Sequence, residues 1–225
     1  MEKNENKIII NKYIELDRNF EIENETIIKH HSKSNNDYEN ICLLKYQKDI
    51  YFTCVNQFNK NITIRHGIYN KNINKNLKFS SNKNYSMFIH QNKIKFICRW
   101  FPLQIVNNKS EIIYTDNTPL CFKYIKSSTS GFLYENEIWF VGHLVVDNID
   151  LPKNCYHCII ILDQKTLKIK KCSIPFRFSN SLENTVEYCL GIVVEKNRII
   201  FSYSIMEFKS FIGIYDKKKI KEYFF

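Results

Sequence analysis

The sequence predicts an all-β protein, specifically a β-propeller of four-stranded blades, and two observations favour this fold class. First, a hairpin pattern recurs along the 225-residue chain, and an Ile-x-Phe motif opens its second strand at residues 50, 94, 138 and 199. The motifs are 44, 44 and 61 residues apart, and self-similarity at about 40–50 residues is typical of propellers. Second, Ile, Phe and Tyr are abundant while Ala is absent, which favours strands over helices.

Each repeat consists of an apolar strand, a short polar turn and a second apolar strand. The four hairpins span residues 43–52, 87–96, 131–140 and 192–201. Asn, Asp or Lys between alternating apolar runs is typical of β-hairpins. A β-sandwich with evenly spaced hairpins is the alternative interpretation, but the equal spacing of the first three units favours blades.

Further strands are expected after the last two hairpins. They are Tyr156–Asp163 and Leu167–Cys172 after the third hairpin, and Phe211–Tyr215 and Ile220–Phe225 after the fourth. Two hairpins per period make a four-stranded blade, so we expect about four to five blades in a complete or incomplete ring.

The remaining segments carry weaker patterns. Lys7–Leu16 predicts one strand, and residues 68–86, rich in Asn, Lys and Ser, predict a long loop around a short strand near Leu77–Phe79. Because no interdomain linker is evident, we expect a single domain over residues 1–225.

Composition narrows the classes of partner. The net charge is +10, but the lysines look spread along the chain apart from Lys217–Lys219, so no nucleic-acid partner is expected. No signal peptide and no apolar stretch of about 20 residues is present, which predicts a cytoplasmic protein without a membrane span. In that compartment the eight cysteines are expected to be free thiols.

No cofactor or metal is expected. The sequence lacks a Gly-rich phosphate loop, and Cys155–Cys158 has no second ligand pair at a zinc-binding spacing.

Two glutamates are candidate catalytic residues. Glu39 and Glu187 each stand just before an apolar strand, at equivalent places in the first and fourth units. If both faced the propeller axis, they would suit a two-carboxylate glycosidase site. Alternatively, both are structural residues that hold the starts of their blades.

Four other residues are candidates for substrate binding. Trp100 is followed by Phe101 and Pro102 and could stack on a sugar, or be buried between blades. His143 ends one strand and His157 begins the next, so both could face one pocket or be core histidines. Arg177 lies shortly before the fourth unit and completes the expected polar lining.

Five motifs in the second half of the chain carry a family resemblance, in matching order and spacing. They are Trp139–His143, Tyr156–Cys158, Ser173–Phe178, Glu187–Gly191 and Ile200–Ser204. Residues 119–215 thereby resemble the second half of the five-bladed propellers of glycoside hydrolases and mannoside phosphorylases. They are more similar still to an uncharacterised propeller group found beside glycosyltransferases, including in giant viruses.

The first half departs from that family's pattern. Where the family has Glu-Asp-x-Arg, this chain reads Glu39-Asn40-Ile41-Cys42, and Asn56 replaces an acidic residue. Ile125-Lys126-Ser127 replaces Arg-Gly-Ser, and Glu207 stands where Asp is common. A carboxamide cannot transfer a proton as a carboxyl group does, so these changes weaken the expected catalytic site.

The resemblance implies a carbohydrate-related protein that binds a glycan, with a degenerate or weak glycosidase or phosphorylase site. An active glycoside hydrolase or phosphorylase is one alternative. A non-catalytic interaction scaffold, with a glycosyltransferase as its partner, is the other.

Overall fold

The computed structural model describes residues 12–27, 38–58, 61–69, 73–77, 85–148, 151–179, 186–206 and 209–225. Within them lie a 3₁₀ helix, Leu120–Tyr124, an α-helix, α1 (Lys217–Phe224), and the following strands: β1 (Lys12–Leu16), β2 (Ile22–Ile27), β3 (Tyr38–Tyr46), β4 (Asp49–Phe58), β5 (Asn61–Ile68), β6 (Ile73–Leu77), β7 (Ser86–His90), β8 (Lys93–Trp100), β9 (Leu103–Val106), β10 (Ile112–Asp116), β11 (Ile125–Ser127), β12 (Phe132–Tyr134), β13 (Glu137–Asn148), β14 (Leu151–Asp163), β15 (Ile169–Cys172), β16 (Glu187–Val194), β17 (Arg198–Ile205) and β18 (Lys209–Asp216).

The strands form antiparallel sheets that correspond to propeller blades. Blade 1 has the order β3-β4-β5-β6, and blade 2 has the order β7-β8-β9-β10. Blade 3 contains β11-β13-β14-β15, with β12 also paired to β13, and blade 4 contains β16-β17-β18. The predicted all-β propeller fold is therefore confirmed; among the described residues, blades 1 and 2 have the expected four strands, blade 3 has five and blade 4 has three.

All four predicted hairpins are present, and each Ile-x-Phe motif begins one residue inside its strand. The hairpins are β3–β4, β7–β8, β12–β13 and β16–β17. The phenylalanines of the last three motifs, Phe96, Phe140 and Phe201, are buried. In blades 2, 3 and 4 the repeated motif thus marks an apolar surface that packs against a neighbouring blade.

The inner strands contact one another in a cycle. Strand β3 lies against β7, β7 against β12, β12 against β16, and β16 against β3. The β1–β2 hairpin lies beside blades 1 and 4, because Tyr13 packs on Tyr69 after β5 and Phe20 lies near Arg198 in β17.

Blade 3 is buried on both faces. Ile138 and Phe140 belong to the core shared with blade 2, whereas Trp139 and Val141 belong to the core shared with blade 4. Because successive strand residues point to opposite faces, a run of four apolar residues is needed to fill both cores.

The centre of the cycle is occupied by the segment Ser127–Gly131, called here the central segment. Its carbonyl groups accept hydrogen bonds from Cys42 Sγ of blade 1 at 3.1 Å and Ser86 Oγ of blade 2 at 2.7 Å. The Thr129 hydroxyl accepts the Val141 N–H of blade 3 at 2.9 Å, and Ser128 Oγ donates to the Cys189 carbonyl of blade 4. One buried polar segment therefore joins one strand from each blade: β3, β7, β13 and β16.

Substituting Gly131 by Ala should destabilise the protein by about 1–3 kcal/mol, because the site is already filled. An added Cβ would lie 2.5 Å from Phe140 Cε1 and 2.8 Å from Phe88 Cβ, both in the core. Urea unfolding of Gly131→Ala against the wild type measures the change. Gly191→Ala is the matched control and should be less destabilising, since its added Cβ would meet only the Ser202 side chain, whose hydroxyl can rotate away. Equal stability of Gly131→Ala and the wild type would contradict this description of the centre.

The C-terminal segment differs from its predicted structure. Ile220–Phe225 was expected to be a strand, which is wrong, because Lys217–Phe224 forms α1. The Asp216 carboxylate accepts the Lys219 N–H at 2.8 Å and caps the helix, while Ile220 and Phe224, one turn apart, both pack in the core shared by blades 3 and 4.

Lys12–Leu16 of the predicted first strand is present as β1, and its earlier residues lie outside the described part. Within residues 68–86, the described strand is β6, and Lys78 and Phe79 lie outside the described residues.

Candidate functional site

Glu187 begins β16 with its side chain fully buried. Its two carboxylate oxygens accept the backbone N–H groups of Phe178 at 2.8 Å and Ser179 at 2.9 Å, and they also accept the Ser179 hydroxyl. A buried carboxylate is stable only when such donors replace water. In this position Glu187 anchors the segment that leads from blade 3 towards blade 4.

His143 and His157 face each other across the β13–β14 pair. His157 lies among aromatic rings, with its ring centroid 4.9 Å from that of Phe178, and His143 lies 5.0 Å from Tyr188 by the same measure. Within the described residues, neither ring nitrogen of His157 has a hydrogen-bond partner. Its Nε2 is 3.9 Å from Glu187 Oε2, which is beyond hydrogen-bond reach.

Burial keeps both imidazoles neutral. Loss of solvation, followed by the positive charge of Arg177, lowers the pKa of His157 to about 4. Loss of solvation, with smaller effects of His157 and Lys126, lowers the pKa of His143 to about 3 despite a hydrogen bond to the Ser127 backbone. Neutral histidines shielded from solvent are poor proton donors at neutral pH.

Arg177 completes this cluster. Its Nε lies 3.9 Å from Glu187 Oε1, and 16% of its side chain is exposed. The structure therefore brings together four of the six residues singled out from the sequence: Glu187, His143, His157 and Arg177. Together these four side chains form a largely buried polar cluster between blades 3 and 4, called here the buried cluster.

Trp100 and Glu39 lie elsewhere. The Trp100 ring is 2% exposed, packs edge-on against Phe140 at a centroid distance of 5.5 Å and donates its N–H to Ser127 Oγ. A ring enclosed in this way presents no face to a sugar. Glu39 pairs with Val55 in the β3–β4 register, and its side chain lies outside the described residues.

An open cleft lies at a different place, between blades 1 and 2. Its volume is about 300 Å³, within the lower range of ligand pockets. The described residues that line it are polar, aromatic or aliphatic: Tyr46, Tyr51, His66, Gly67, Ile68, Asn92, Lys93, Ile94, Lys95, Asn107 and Asn108. We call it the blade 1–2 cleft.

Turns and strand ends position the lining of this cleft. Asn92, at a φ of 57° in the β7–β8 turn, accepts the Tyr46 hydroxyl at 3.3 Å. The Tyr46 and Tyr51 rings lie 6.4 Å apart and are tilted by 46°. Asn107 is held by its own turn, where its side-chain oxygen accepts the N–H groups of Lys109 and Glu111.

The chemistry of this lining suits the binding of a polar ligand. Aromatic rings, amides and ammonium groups can contact the apolar faces and hydroxyl groups of a polar ligand. Glycoside hydrolysis ordinarily needs two carboxyl groups, and none of the described lining residues is Asp or Glu.

Other features of the described residues bear on cofactors and membranes. All eight cysteines are free, as predicted. No cluster of three or more His, Cys, Asp or Glu side chains is placed to hold a metal ion there. None of the helices in this part is long and apolar enough to cross a bilayer.

Neither the blade 1–2 cleft nor the central segment was predicted from the sequence. The cleft residues are common Asn, Lys and Tyr in turns and strand ends, and no short motif distinguishes them. One sequence signal does cover this region, namely the absence of any acidic residue between Asp49 and Glu111.

No protein-family model matches the chain, and no curated protein matches it in sequence. Among solved structures, the chain is similar to a subtype N10 neuraminidase-like protein of A/little yellow-shouldered bat/Guatemala/060/2010, with 9% identity and a TM-score of 0.49. The match covers 81% of this chain and 57% of that one, so this chain spans little more than half of that protein's length.

Two proteins of Bacteroides ovatus are also similar in structure. One is a proposed glycoside hydrolase, with 9% identity and a TM-score of 0.41, covering 82% of this chain and 88% of that one. The other is a glycosyl hydrolase, with 9% identity and a TM-score of 0.38, covering 81% of this chain and 85% of that one. At such identities and scores, these likenesses do not extend to function.

Proposed function

We propose that this protein is a glycan-binding β-propeller that binds its ligand in the blade 1–2 cleft without cleaving it. The observation that carries the proposal is the lining of the cleft, which combines Tyr46 and Tyr51 with the amides of Asn92, Asn107 and Asn108. Rings of this kind can stack on the apolar face of a sugar, while amides exchange hydrogen bonds with its hydroxyl groups.

The buried cluster supports binding without turnover. Glu187 has its oxygens engaged by three donors, and His143 and His157 are neutral and shielded. A general acid must reach the glycosidic oxygen, and none of these groups is exposed to solvent. The resemblance in the second half of the chain then concerns residues that hold blades 3 and 4 together.

Tyr51→Ala should weaken glycan binding by about tenfold or more, equivalent to about 1.4 kcal/mol. A glycan array identifies a bound oligosaccharide, and calorimetry with that oligosaccharide measures the affinity of each variant. Tyr223→Ala, in exposed α1 and outside the cleft, is the matched control and should leave the affinity unchanged. Because Tyr51 also packs on the core, a thermal melt and the milder Tyr51→Phe variant accompany the measurement.

Three results would overturn the proposal: no binding of any glycan, equal affinity of Tyr51→Ala and the wild type, or release of sugar from the bound oligosaccharide with or without phosphate. Sugar release would instead favour an active hydrolase or phosphorylase. A single domain over residues 1–225, a cytoplasmic location and a glycosyltransferase partner stay predictions.

A further inference from the structure

The net positive charge of this protein arises in one stretch of the sequence. Residues 50–110 contain ten of the 33 Lys and Arg residues and none of the 23 Asp and Glu residues. The rest of the chain therefore holds 23 of each sign and carries no net charge. Lysine and arginine are spread along the chain as predicted, at about one residue in six here and one in seven elsewhere, so the surplus arises because this stretch lacks acidic residues.

The described parts of this stretch form most of blades 1 and 2, namely β5 to β9 and nearly all of β4, and four of its ten basic residues lie outside the described residues. The stretch runs from the second residue of β4 to the turn that follows β9. Of the described residues that line the cleft, all but Tyr46 fall within it. Low-dielectric walls with charges of a single sign focus the electrostatic potential in a cleft and attract ligands of the opposite sign.

Two lysines bring this charge to the cleft itself. Lys93 and Lys95 line it two residues apart on β8, so their side chains leave the strand on the same face. The positive charge of Lys95 also contributes, after burial, to lowering the pKa of neighbouring His90. Glu111 does not line the cleft, and its carboxylate accepts a hydrogen bond from Asn107 Nδ2 at 2.6 Å.

We propose that the blade 1–2 cleft selects acidic glycans, in which a carboxylate or sulfate group is bound by Lys93 and Lys95 while a sugar ring lies against the tyrosines. This inference rests on the proposed function and specifies its ligand class. A neutral glycan would leave two ammonium groups without a counter-charge, whereas an acidic one supplies charge-assisted hydrogen bonds. A compact cleft of about 300 Å³ suits one or a few sugar rings better than an extended nucleic-acid strand, which needs a continuous groove.

The first experiment compares two probes that differ only in charge. Calorimetry at low ionic strength is performed with α-1,4-linked trigalacturonate and with its carboxyl-reduced counterpart, α-1,4-galactotriose. A chondroitin sulfate tetrasaccharide and its desulfated, carboxyl-reduced counterpart, which carries no charge, serve as a second comparison. In at least one pair, the acidic member should bind at least tenfold more tightly than the neutral one. Raising the salt concentration should reduce this preference, because ions screen exposed charges.

The second experiment assigns the preference to the two lysines. Lys93→Gln/Lys95→Gln should lose at least tenfold in affinity for the acidic probe and change less than about twofold for the neutral probe. Lys196→Gln/Lys218→Gln removes the same charge from exposed positions in blade 4 and α1, and it should retain the preference. Thermal melts verify that both variants fold.

The outcomes separate this inference from the proposed function. If acidic and neutral probes bind equally and Tyr51→Ala weakens both, the proposed function stands and the acidic preference is wrong. If neither probe of either pair binds and the glycan array is also empty, both fail. If a single-stranded 12-nucleotide RNA binds more tightly than every glycan and the lysine variant abolishes that binding, the cleft recognises nucleic acid and the glycan assignment is overturned.

Discussion

Lowering the pH from 8 to 5 should destabilise the protein by about 4 kcal/mol through His143 and His157 alone. Their pKa values in the folded state are about 3 and about 4, because burial disfavours the charged form. In the unfolded chain both imidazoles have an ordinary pKa of about 6.5. Below that pH the unfolded state binds protons that the folded state cannot bind.

The direction of the effect follows from this difference. The stabilisation is fully present above pH 6.5 and is lost progressively as the pH falls towards the folded-state values of about 4 and about 3. Each histidine contributes about 2 kcal/mol at pH 5, a large share of the roughly 5–15 kcal/mol that stabilises a typical domain. The window from pH 6.5 to 5 is informative because most carboxylates remain ionised there.

Urea unfolding at several pH values tests this expectation. His157→Phe should lose about half of the pH dependence, since a phenyl ring fits among Phe176 and Phe178 and has no proton to bind. An independent measurement, NMR titration of the imidazole C–H signals, needs no variant. Titration of both folded-state histidines near pH 6.5, or an unchanged slope in His157→Phe, would show that the pair is hydrated and that the site has been described wrongly.

Glu187→Ala should destabilise the protein by about 3–5 kcal/mol, the usual cost of breaking a buried charged network. The substitution leaves the N–H groups of Phe178 and Ser179 without their acceptor and removes the carboxylate that lies 3.9 Å from Arg177 Nε. Each buried N–H group that is left without an acceptor lowers the stability by about 1–3 kcal/mol. For a chain of this size, the melting temperature should fall by roughly 10 °C.

Glu195→Ala is the matched control for this prediction. Glu195 also lies in blade 4, but its ion pair with Arg198 at 2.6 Å is solvent-exposed. Such exposed pairs contribute about 0–1 kcal/mol, so the control should melt within a few degrees of the wild type.

Glu187→Gln separates an anchoring role from a catalytic one. The amide retains one acceptor oxygen but directs an NH₂ group at backbone donors, so stability should fall even though the shape is conserved. A catalytic glutamate would behave differently, with stability preserved and activity lost. Wild-type stability in Glu187→Gln together with loss of a sugar-releasing activity would therefore refute the anchoring role.

The local pattern of apolar and polar residues was sufficient to predict most of the fold. Alternating apolar residues and short polar turns predicted β3–β4, β7–β8, β12–β13 and β16–β17, because hairpins depend on residues that are close in sequence. The same reasoning failed for α1. There the Asp216 cap and the packing of Ile220 and Phe224 against two blades outweighed a short apolar segment that resembled a strand.

Only part of the candidate site could be predicted from the sequence. Strand order placed His143 beside His157, and the expected pocket lining also included Glu187; these three do lie near one another, whereas Glu39, which was paired with Glu187, lies in blade 1. The sequence could not show that these side chains are buried away from solvent. Their burial depends on residues 176–179, which fold back over β14 and β16. For the same reason Trp100 could equally have been a platform or a core residue until its neighbours were known.

The sequence by itself determined an all-β chain with a repeated hairpin, free cysteines and a charge surplus confined to residues 50–110. These properties are local or compositional, so no knowledge of distant contacts is needed to derive them. The tertiary structure alone decided that Ser127–Gly131 occupies the centre, that Glu187 is an enclosed anchor and that the open cleft lies between blades 1 and 2. Each of these depends on which strands become neighbours, and that choice is made by packing between residues far apart in sequence.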